Sequence, residues 1–252
     1  MIVRAVQAEF VKIATVRATK WLLIGSCAAA LAITVIVALV IRNIGETVED
    51  IGVVALAPLS GFFVLPGIAI TFAAVIGVLS VTTEIRYNTL RSTFLAVPNR
   101  WVALLAKTFV VAVVCAVTYA LAMVVAVLLF GLIVDGSPGE VLSSGAASFL
   151  AFPVGTAFAA VLGVAVGCAL RNGAGAVTLL LGYLFVVDNV ITTIPQTRDA
   201  GPYLPLSNLQ NFMGVLFDES FPWGPPVSFV YLVLVVGALW AGGVALVARR
   251  DA

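Results

Sequence analysis

Apolar residues along this chain fall into six continuous runs, with no alternation of apolar and polar positions. Each run has about the 20 residues that a helix needs to cross a hydrocarbon core roughly 30 Å thick. Only helices and closed barrels satisfy their backbone in lipid, and continuous runs favour helices. The sequence therefore predicts six transmembrane helices at Trp21–Ile41, Leu59–Val81, Val102–Val134, Ala146–Leu170, Val177–Ile194 and Val227–Val247.

The composition supports this pattern. Of 252 residues, 62% are hydrophobic and 10% are charged, whereas about 25% of a typical soluble domain is charged. A soluble enzyme, a nucleic-acid-binding protein and a disordered protein are thereby excluded. We expect residues 1–252 to form a single all-α transmembrane domain, because no polar segment is long enough for a second, soluble domain.

The distribution of basic residues predicts the orientation of this domain in the cell membrane. With the N-terminus inside, only Arg42 and Arg198 of the 13 Lys and Arg residues lie outside. The other eleven then follow the positive-inside rule, which the opposite orientation would violate. We therefore expect a multi-pass protein of the plasma or inner membrane with both termini in the cytoplasm.

Residues 1–20, before the first span, carry apolar side chains at helical spacing. This pattern predicts an amphipathic interfacial helix along the cytoplasmic leaflet, although a cytoplasmic extension of the first span is an alternative. Arg4, Gln7 and Lys12 lie off the apolar stripe, and Glu9 and Arg17 lie at its edges. The stripe consists of Ile2, Val3, Val6, Phe10, Ile13 and Val16.

The connection at 82–101 is the longest and most charged of the predicted cytoplasmic loops. Asn88 or Thr89 can cap a short helix that continues through Leu90–Val97 and ends at Pro98. Asn also tolerates the left-handed backbone of a sharp turn. The alternative is a solvated turn whose arginines only enforce topology. The predicted helix, roughly parallel to the membrane, would present Arg86, Leu90, Arg91, Phe94 and Leu95.

The outside segment at 196–226 contains five prolines with apolar residues between them. Its pattern predicts a short amphipathic helix that starts at a cap on Ser207 or Asn208. Because it is too short to span a membrane, we expect it to re-enter the membrane or to form a lid and extracellular gate. The residues at i, i+3, i+4 and i+7 are Leu209, Phe212, Met213 and Leu216.

Few polar side chains interrupt the spans. Asp188, followed by Asn189, is the only acid within a predicted span, and intramembrane acids are usually functional. It lies about 10 Å from the outer end of its helix, so a role in a transport path and a structural role with hydrogen bonds both remain open. Tyr119 can line such a path or simply pack.

Small residues predict where spans approach each other closely. Gly163 and Gly167 have the small-x-x-x-small spacing that permits tight helix packing in lipid, and Gly237 and Ala241 have it in the last span. Packing within the chain is the favoured interpretation of both pairs, and a gating hinge is the alternative.

The chain lacks the residues that most catalytic and cofactor sites need. It contains no His, and its three cysteines are isolated in apolar runs. None of its three lysines follows Gly, so the sequence holds no phosphate-binding loop of the Walker type. We expect no catalytic residue, no metal site and no cofactor on this chain.

Two charged motifs nevertheless resemble a known family. Glu84-x-Arg86-x-x-Thr89, followed by Pro98-x-Arg100 and Lys107, resembles the cytoplasmic loop of ABC-2-type transporter permeases, in particular the six-span permeases of actinobacteria. Glu9-Phe10-x-Lys12, followed by Arg17 and Trp21, is similar to the opening helix of that family. The layout of the whole chain fits, although Asn88 stands where relatives often carry Gly.

The resemblance implies a membrane subunit of an ABC exporter that moves a hydrophobic or amphipathic compound such as a drug, an antibiotic, a peptide or a lipid. It implies two copies of a separate ATPase, which bind ATP and Mg, and a second permease that is identical or homologous. Lipid is the other expected partner, and nucleic acid is not. The implied contact with the ATPase is a coupling helix with Glu84, Arg86, Thr89, Leu90, Arg91, Phe94 and Arg100, braced by Arg4, Glu9, Phe10, Lys12 and Arg17.

Two other classes of function stay open beside the exporter. One is a secondary transporter or channel, which would usually carry more intramembrane charge than Asp188 alone. The other is an accessory membrane subunit that does not transport, for which the charged loop would be a docking site only.

Overall fold

The computed structural model describes residues 2–44, 67–89, 99–134, 146–194, 196–214 and 221–250. All regular secondary structure within these ranges is helical. A 3₁₀ segment at Arg198–Tyr203 precedes the short helix that begins at Pro205. The helices are α1 (Ile2–Thr15), α2 (Arg17–Ile44), α3 (Ile68–Arg86), α4 (Arg100–Val134), α5 (Ala146–Leu170), α6 (Gly173–Thr193), α7 (Pro205–Phe212) and α8 (Pro225–Arg250).

Six of these helices, α2 to α6 and α8, are long enough and apolar enough to cross a membrane. All six predicted runs are therefore confirmed as helices within the described residues, although 59–66 of the second run lie outside them. Together the six helices indicate a multi-pass membrane protein. Several helices extend beyond their apolar runs. The longest extension at a single end is in α3, which continues through Thr82 to Arg86, a stretch that the sequence assigned to a loop.

The tightest helix contact lies between α3 and α5. A Cβ atom added to Gly163 would lie 1.9 Å from the carbonyl oxygen of Ala74, and one added to Gly77 would lie 2.2 Å from that of Ala160. Gly167 also faces α3, at 3.0 Å from the oxygen of Val78. The small pair Gly163 and Gly167 thus packs within the chain, as its spacing predicts.

The last span packs differently from its prediction. At Gly237, an added Cβ would meet no atom within 4 Å, so this residue contributes no close contact in the described part of the chain. Gly243 makes the approach instead, because its Cβ would lie 2.6 Å from the oxygen of Ala165 on α5. The described part of the chain therefore gives no support to Gly237 as an intramolecular packing residue, and the role of Ala241 stays a prediction.

The first helix packs along α4 at one end of the bundle, where α3 ends and α4 begins. We call this the proximal end. Val16 separates α1 from α2. On α1, Glu9 is buried and Phe10 is 56% exposed, so the acid that the sequence placed at the edge of the apolar stripe points into the bundle.

At the opposite, distal end, α6 contains a π-helical turn at Tyr183–Val187 and then continues from Asp188. The helix α7 follows, and it begins at Pro205 with Leu204 as its cap. The predicted cap on Ser207 or Asn208 is thus wrong. Proline at the first helical position already fixes the backbone for a helix, and both polar residues lie inside the helix.

Candidate functional site

Four charged side chains form a closed ring at the proximal end. The Nζ atom of Lys12 lies 2.6 Å from Oε1 of Glu9 and 3.0 Å from Oε1 of Glu84. The Nζ atom of Lys107 lies 2.5 Å from Oε2 of Glu9 and 2.9 Å from Oε1 of Glu84. This charge ring (Glu9, Lys12, Glu84 and Lys107) joins α1 to the last turns of α3 and the first turns of α4.

The charge ring is largely withdrawn from solvent. The side chains of Glu9 and Lys107 are each 4% exposed, that of Glu84 is 12% exposed and that of Lys12 is 38% exposed. Removing such charges from water costs several kcal/mol per ion, which is offset only by good geometry and complete pairing. The ring meets this demand for both lysines and for Glu9, whose two oxygens each accept a hydrogen bond from a lysine.

One carboxylate oxygen in the charge ring, Oε2 of Glu84, accepts no hydrogen bond from the described residues. Oε1 of Glu84 accepts a hydrogen bond from Lys12 and forms an ion pair with Lys107, whereas its buried Oε2 has no hydrogen-bond partner among the described residues. A buried acceptor without a donor costs about 1–3 kcal/mol, and more when it is charged. The ring is therefore complete for its cations and incomplete for one of its carboxylates.

Burial and the neighbouring carboxylates act on the pKa of Lys12 in opposite directions. Burial lowers the pKa of its ammonium group, but the hydrogen bonds and negative charges of Glu9 and Glu84 outweigh burial and raise the pKa above the ordinary value of 10.5. The charged form of Lys12 is thus favoured in the folded protein.

This shift predicts an alkaline limit to stability. Because the folded pKa lies above 10.5, the contribution of Lys12 is fully present below pH 10.5 and is lost as the pH rises through the folded pKa. Thermal unfolding in neutral detergent between about pH 8 and pH 12 should show this loss in the wild type and a weaker loss in Lys12→Met. Lys20→Met, at an exposed position of α2, should behave as wild type; an unchanged alkaline slope in Lys12→Met would contradict the assignment.

A second buried acid, Asp188, lies on α6 directly after the π-helical turn. It is 4% exposed, and its Oδ2 accepts a long hydrogen bond of 3.5 Å from the hydroxyl of Ser207 on α7. Its Oδ1 has no partner among the described residues. Asp188 thus connects α6 to the beginning of α7.

The neighbouring amide has a local role. The side chain of Asn189 donates to the carbonyl oxygens of Leu184 and Phe185, at 3.3 and 3.2 Å. These carbonyls lie in the π-helical turn, where the regular hydrogen-bond ladder is interrupted. Asn189 therefore stabilises the turn that precedes Asp188.

The helix α7 is fastened to α8 by a polar network. Asn208 is fully buried, and its Oδ1 accepts hydrogen bonds from Nε1 of Trp223 at 3.1 Å and from the hydroxyl of Ser228 at 3.0 Å. Its Nδ2 donates to the carbonyl oxygens of Pro202 and Leu204. Every polar atom of this buried amide is therefore used to hold α7 in place.

The apolar face of α7 points into the bundle, as its pattern predicts. Leu209 and Met213 are buried, and the sulfur of Met213 packs beside Gly155 on α5. Phe212 is partly buried and packs against Phe229 with a centroid distance of 5.4 Å. The fourth residue of the predicted gate, Leu216, lies outside the described residues.

The remaining predicted site residues are not members of the charge ring. Tyr119 is fully buried, and its hydroxyl lies 2.8 Å from that of Ser26 on α2. Among the residues predicted for coupling, Arg86 and Thr89 are exposed near the end of α3, while Leu90, Arg91 and Phe94 lie outside the described residues. Of the other predicted contact residues, Arg4 and Phe10 are exposed on α1 and Arg17 is exposed at the start of α2. Arg100 is the first residue of α4.

No group of three or more His, Cys, Asp or Glu side chains that could hold a metal occurs in the part of the chain that the structure describes. Comparison with models of protein families gave no match, and comparison with curated proteins gave none.

Sequence reasoning named Lys107 in the loop motif but missed its burial in the charge ring, and it also missed the full length of α3. Lys107 stands inside a long apolar run, and Asp188 was the only acid assigned to a span although Glu84 lies in the last turn of α3. A lysine inside an apolar run is itself a signal, because such a residue is rarely buried without an acidic partner.

Proposed function

We propose that this chain is the membrane-spanning subunit of an ABC exporter that moves a hydrophobic or amphipathic compound. The observation that carries the proposal is the charge ring. It connects α1 to the two helix ends that flank the segment at 90–98, which the sequence assigns to the coupling helix. A force on that segment would reach three helices together, because three ion pairs join α1, α3 and α4 to one another.

The partners follow from this proposal. Two copies of a separate ATPase would bind ATP and Mg, and a second permease, identical or homologous, would complete the transport path in the cell membrane. Both termini and the proximal end would then face the cytoplasm. Closure of the ATPases would move the coupling segment, and α3 and α4 would carry that movement into the bundle.

The first experiment is a mild-detergent pulldown of the tagged chain from its native host, followed by mass spectrometry. We expect a stoichiometric ATPase subunit to co-purify, and any second permease would distinguish a heterodimer from a homodimer. A chain that comes out alone, under conditions that preserve known membrane complexes, would count against the proposal.

Coupling can be tested at Arg86, which is exposed and lies over the ring of Tyr87 at 5.8 Å. In the reconstituted complex, Arg86→Ala, with or without Arg91→Ala, should lower substrate-stimulated ATPase activity about fivefold, the lower end of usual coupling energies. Arg42→Ala is the matched control, because Arg42 is also an exposed arginine but lies near the C-terminal end of α2. Equal stimulation in both variants would exclude Arg86 from the contact.

One observation favours a second candidate, an ion-coupled secondary transporter. Asp188 is 4% exposed and keeps one buried oxygen without a partner in the described residues, as expected for an acid that exchanges a proton or cation. Transport in proteoliposomes separates the two functions. Vanadate should stop an ATP-driven exporter, whereas a protonophore and Asp188→Asn should stop the ion-coupled transporter.

A further inference from the structure

A cavity of about 640 Å³ lies beside the charge ring. One face of α3 forms part of its lining, and this face changes character along the helix. Ile76 and Leu79 come first, and Ser80, Thr83 and Glu84 follow toward the proximal end. Because a helix rises 1.5 Å per residue, the apolar and charged ends of this row lie about 12 Å apart.

The size and lining of the cavity suit a small amphiphile. Ligand sites are usually concave spaces of about 300–1,000 Å³ with mostly apolar walls and a few polar groups that fix orientation. Ile13 and Val111 add apolar surface from α1 and α4, and all four members of the charge ring supply charged groups. A molecule with an apolar body and a polar head would match the order of side chains along α3.

The charge of the head is indicated by Glu84. Both oxygens of Glu9 accept hydrogen bonds, and Oε1 of Glu84 accepts one from Lys12 and pairs with Lys107. The missing interaction is therefore a donor for Oε2 of Glu84. An ammonium group supplies both N–H donors and positive charge, and charge-assisted hydrogen bonds are about twice as strong as neutral ones. Oε2 is shielded in the structure, so binding requires the carboxylate to turn about its last torsion, which is broad in glutamate.

We infer that this cavity binds an amphiphile whose head is an ammonium with N–H donors. The membrane can supply it as an aminophospholipid, and the aqueous phase can supply it as a long-chain amine; both sources share the ammonium head and the apolar body. The inference goes beyond the proposed function, because the site belongs to this chain alone and binding needs neither an ATPase nor ATP.

The test is native mass spectrometry of the purified full chain in neutral detergent. Phosphatidylethanolamine should bind at least about tenfold more tightly than phosphatidylcholine with the same acyl chains, because the quaternary head lacks N–H donors. Dodecylamine should likewise bind more tightly than dodecyltrimethylammonium. Preference in both pairs assigns the lipid source, and preference only in the second pair assigns the soluble source. No preference in either pair overturns the inference.

Two variants connect the preference to the cavity. Leu79→Trp places a large side chain in the cavity without removing a member of the charge ring, and it should abolish the preference for the ammonium with N–H donors. Leu121→Trp, at a position that is 63% exposed on α4, is the matched control and should keep it. Glu84→Gln should reduce the preference at least about tenfold; should that variant fail to fold, Leu79→Trp decides alone. A preference that survives Leu79→Trp would place the ligand elsewhere.

Discussion

Replacement of Lys107 by methionine is expected to lower the free energy of unfolding by about 3–5 kcal/mol, the usual cost of removing one partner from a buried ion pair. Methionine keeps much of the volume of lysine, so the loss comes from the carboxylates that stay behind. Oε2 of Glu9 would lose its lysine at 2.5 Å, and Glu84 would keep Lys12 alone. Unfolding in mixed micelles by denaturant or heat measures the change.

A double variant separates the charge ring from the single residue. Lys107→Met with Glu9→Leu removes one base and one acid and leaves the pair of Lys12 and Glu84 at 3.0 Å. Because buried ion pairs can often be replaced by apolar residues at little cost, the double variant should be more stable than Lys107→Met alone. Additive losses in this mutant cycle would show that the two residues are not coupled.

Replacement of Gly163 by alanine should cost about 3 kcal/mol, at the upper end of the usual penalty for overpacking. The added Cβ would lie 1.9 Å from the carbonyl oxygen of Ala74 and 2.8 Å from its carbon. These are backbone atoms, which cannot turn away as a flexible side chain would. The helices α3 and α5 would have to separate along their closest contact, and the same unfolding assay would report the loss.

Gly237→Ala is the matched control for this substitution. It lies in a span as well, but its Cβ would meet no atom within 4 Å. Because alanine favours a helix over glycine by about 1 kcal/mol, this variant should be neutral or slightly more stable. Equal losses at the two positions would contradict the close approach of α3 and α5 at Gly163.

The helices of this protein were predictable because each span depends on local apolar residues. Their ends were less so, and α3 shows why. Thr82–Arg86 contains two charged residues, which end an apolar run but need not end a helix. Glu84 stays helical within the bundle because Lys12 and Lys107 neutralise it. The predicted tolerance of Asn88 for a left-handed backbone is confirmed, since its φ is 55°.

The candidate site was only partly predictable, because its contacts join distant parts of the chain. Glu9, Lys12 and Glu84 were named from the sequence as separate elements of two motifs. Their assembly depends on pairs that are 72 and 98 residues apart, which no local pattern reports. The same holds for Asn208. Its sequence position favoured a helix cap, but in the structure its side chain accepts hydrogen bonds from Trp223 and Ser228.

The charge ring holds two positive and two negative side chains, so as a unit it carries no net charge. A single elementary charge that crosses a membrane potential of 100 mV changes in energy by about 2.3 kcal/mol, whereas opposite charges that move together through the field cancel. The charge ring itself would therefore add no voltage dependence to a rearrangement that carries α1 and the adjoining ends of α3 and α4 as one body.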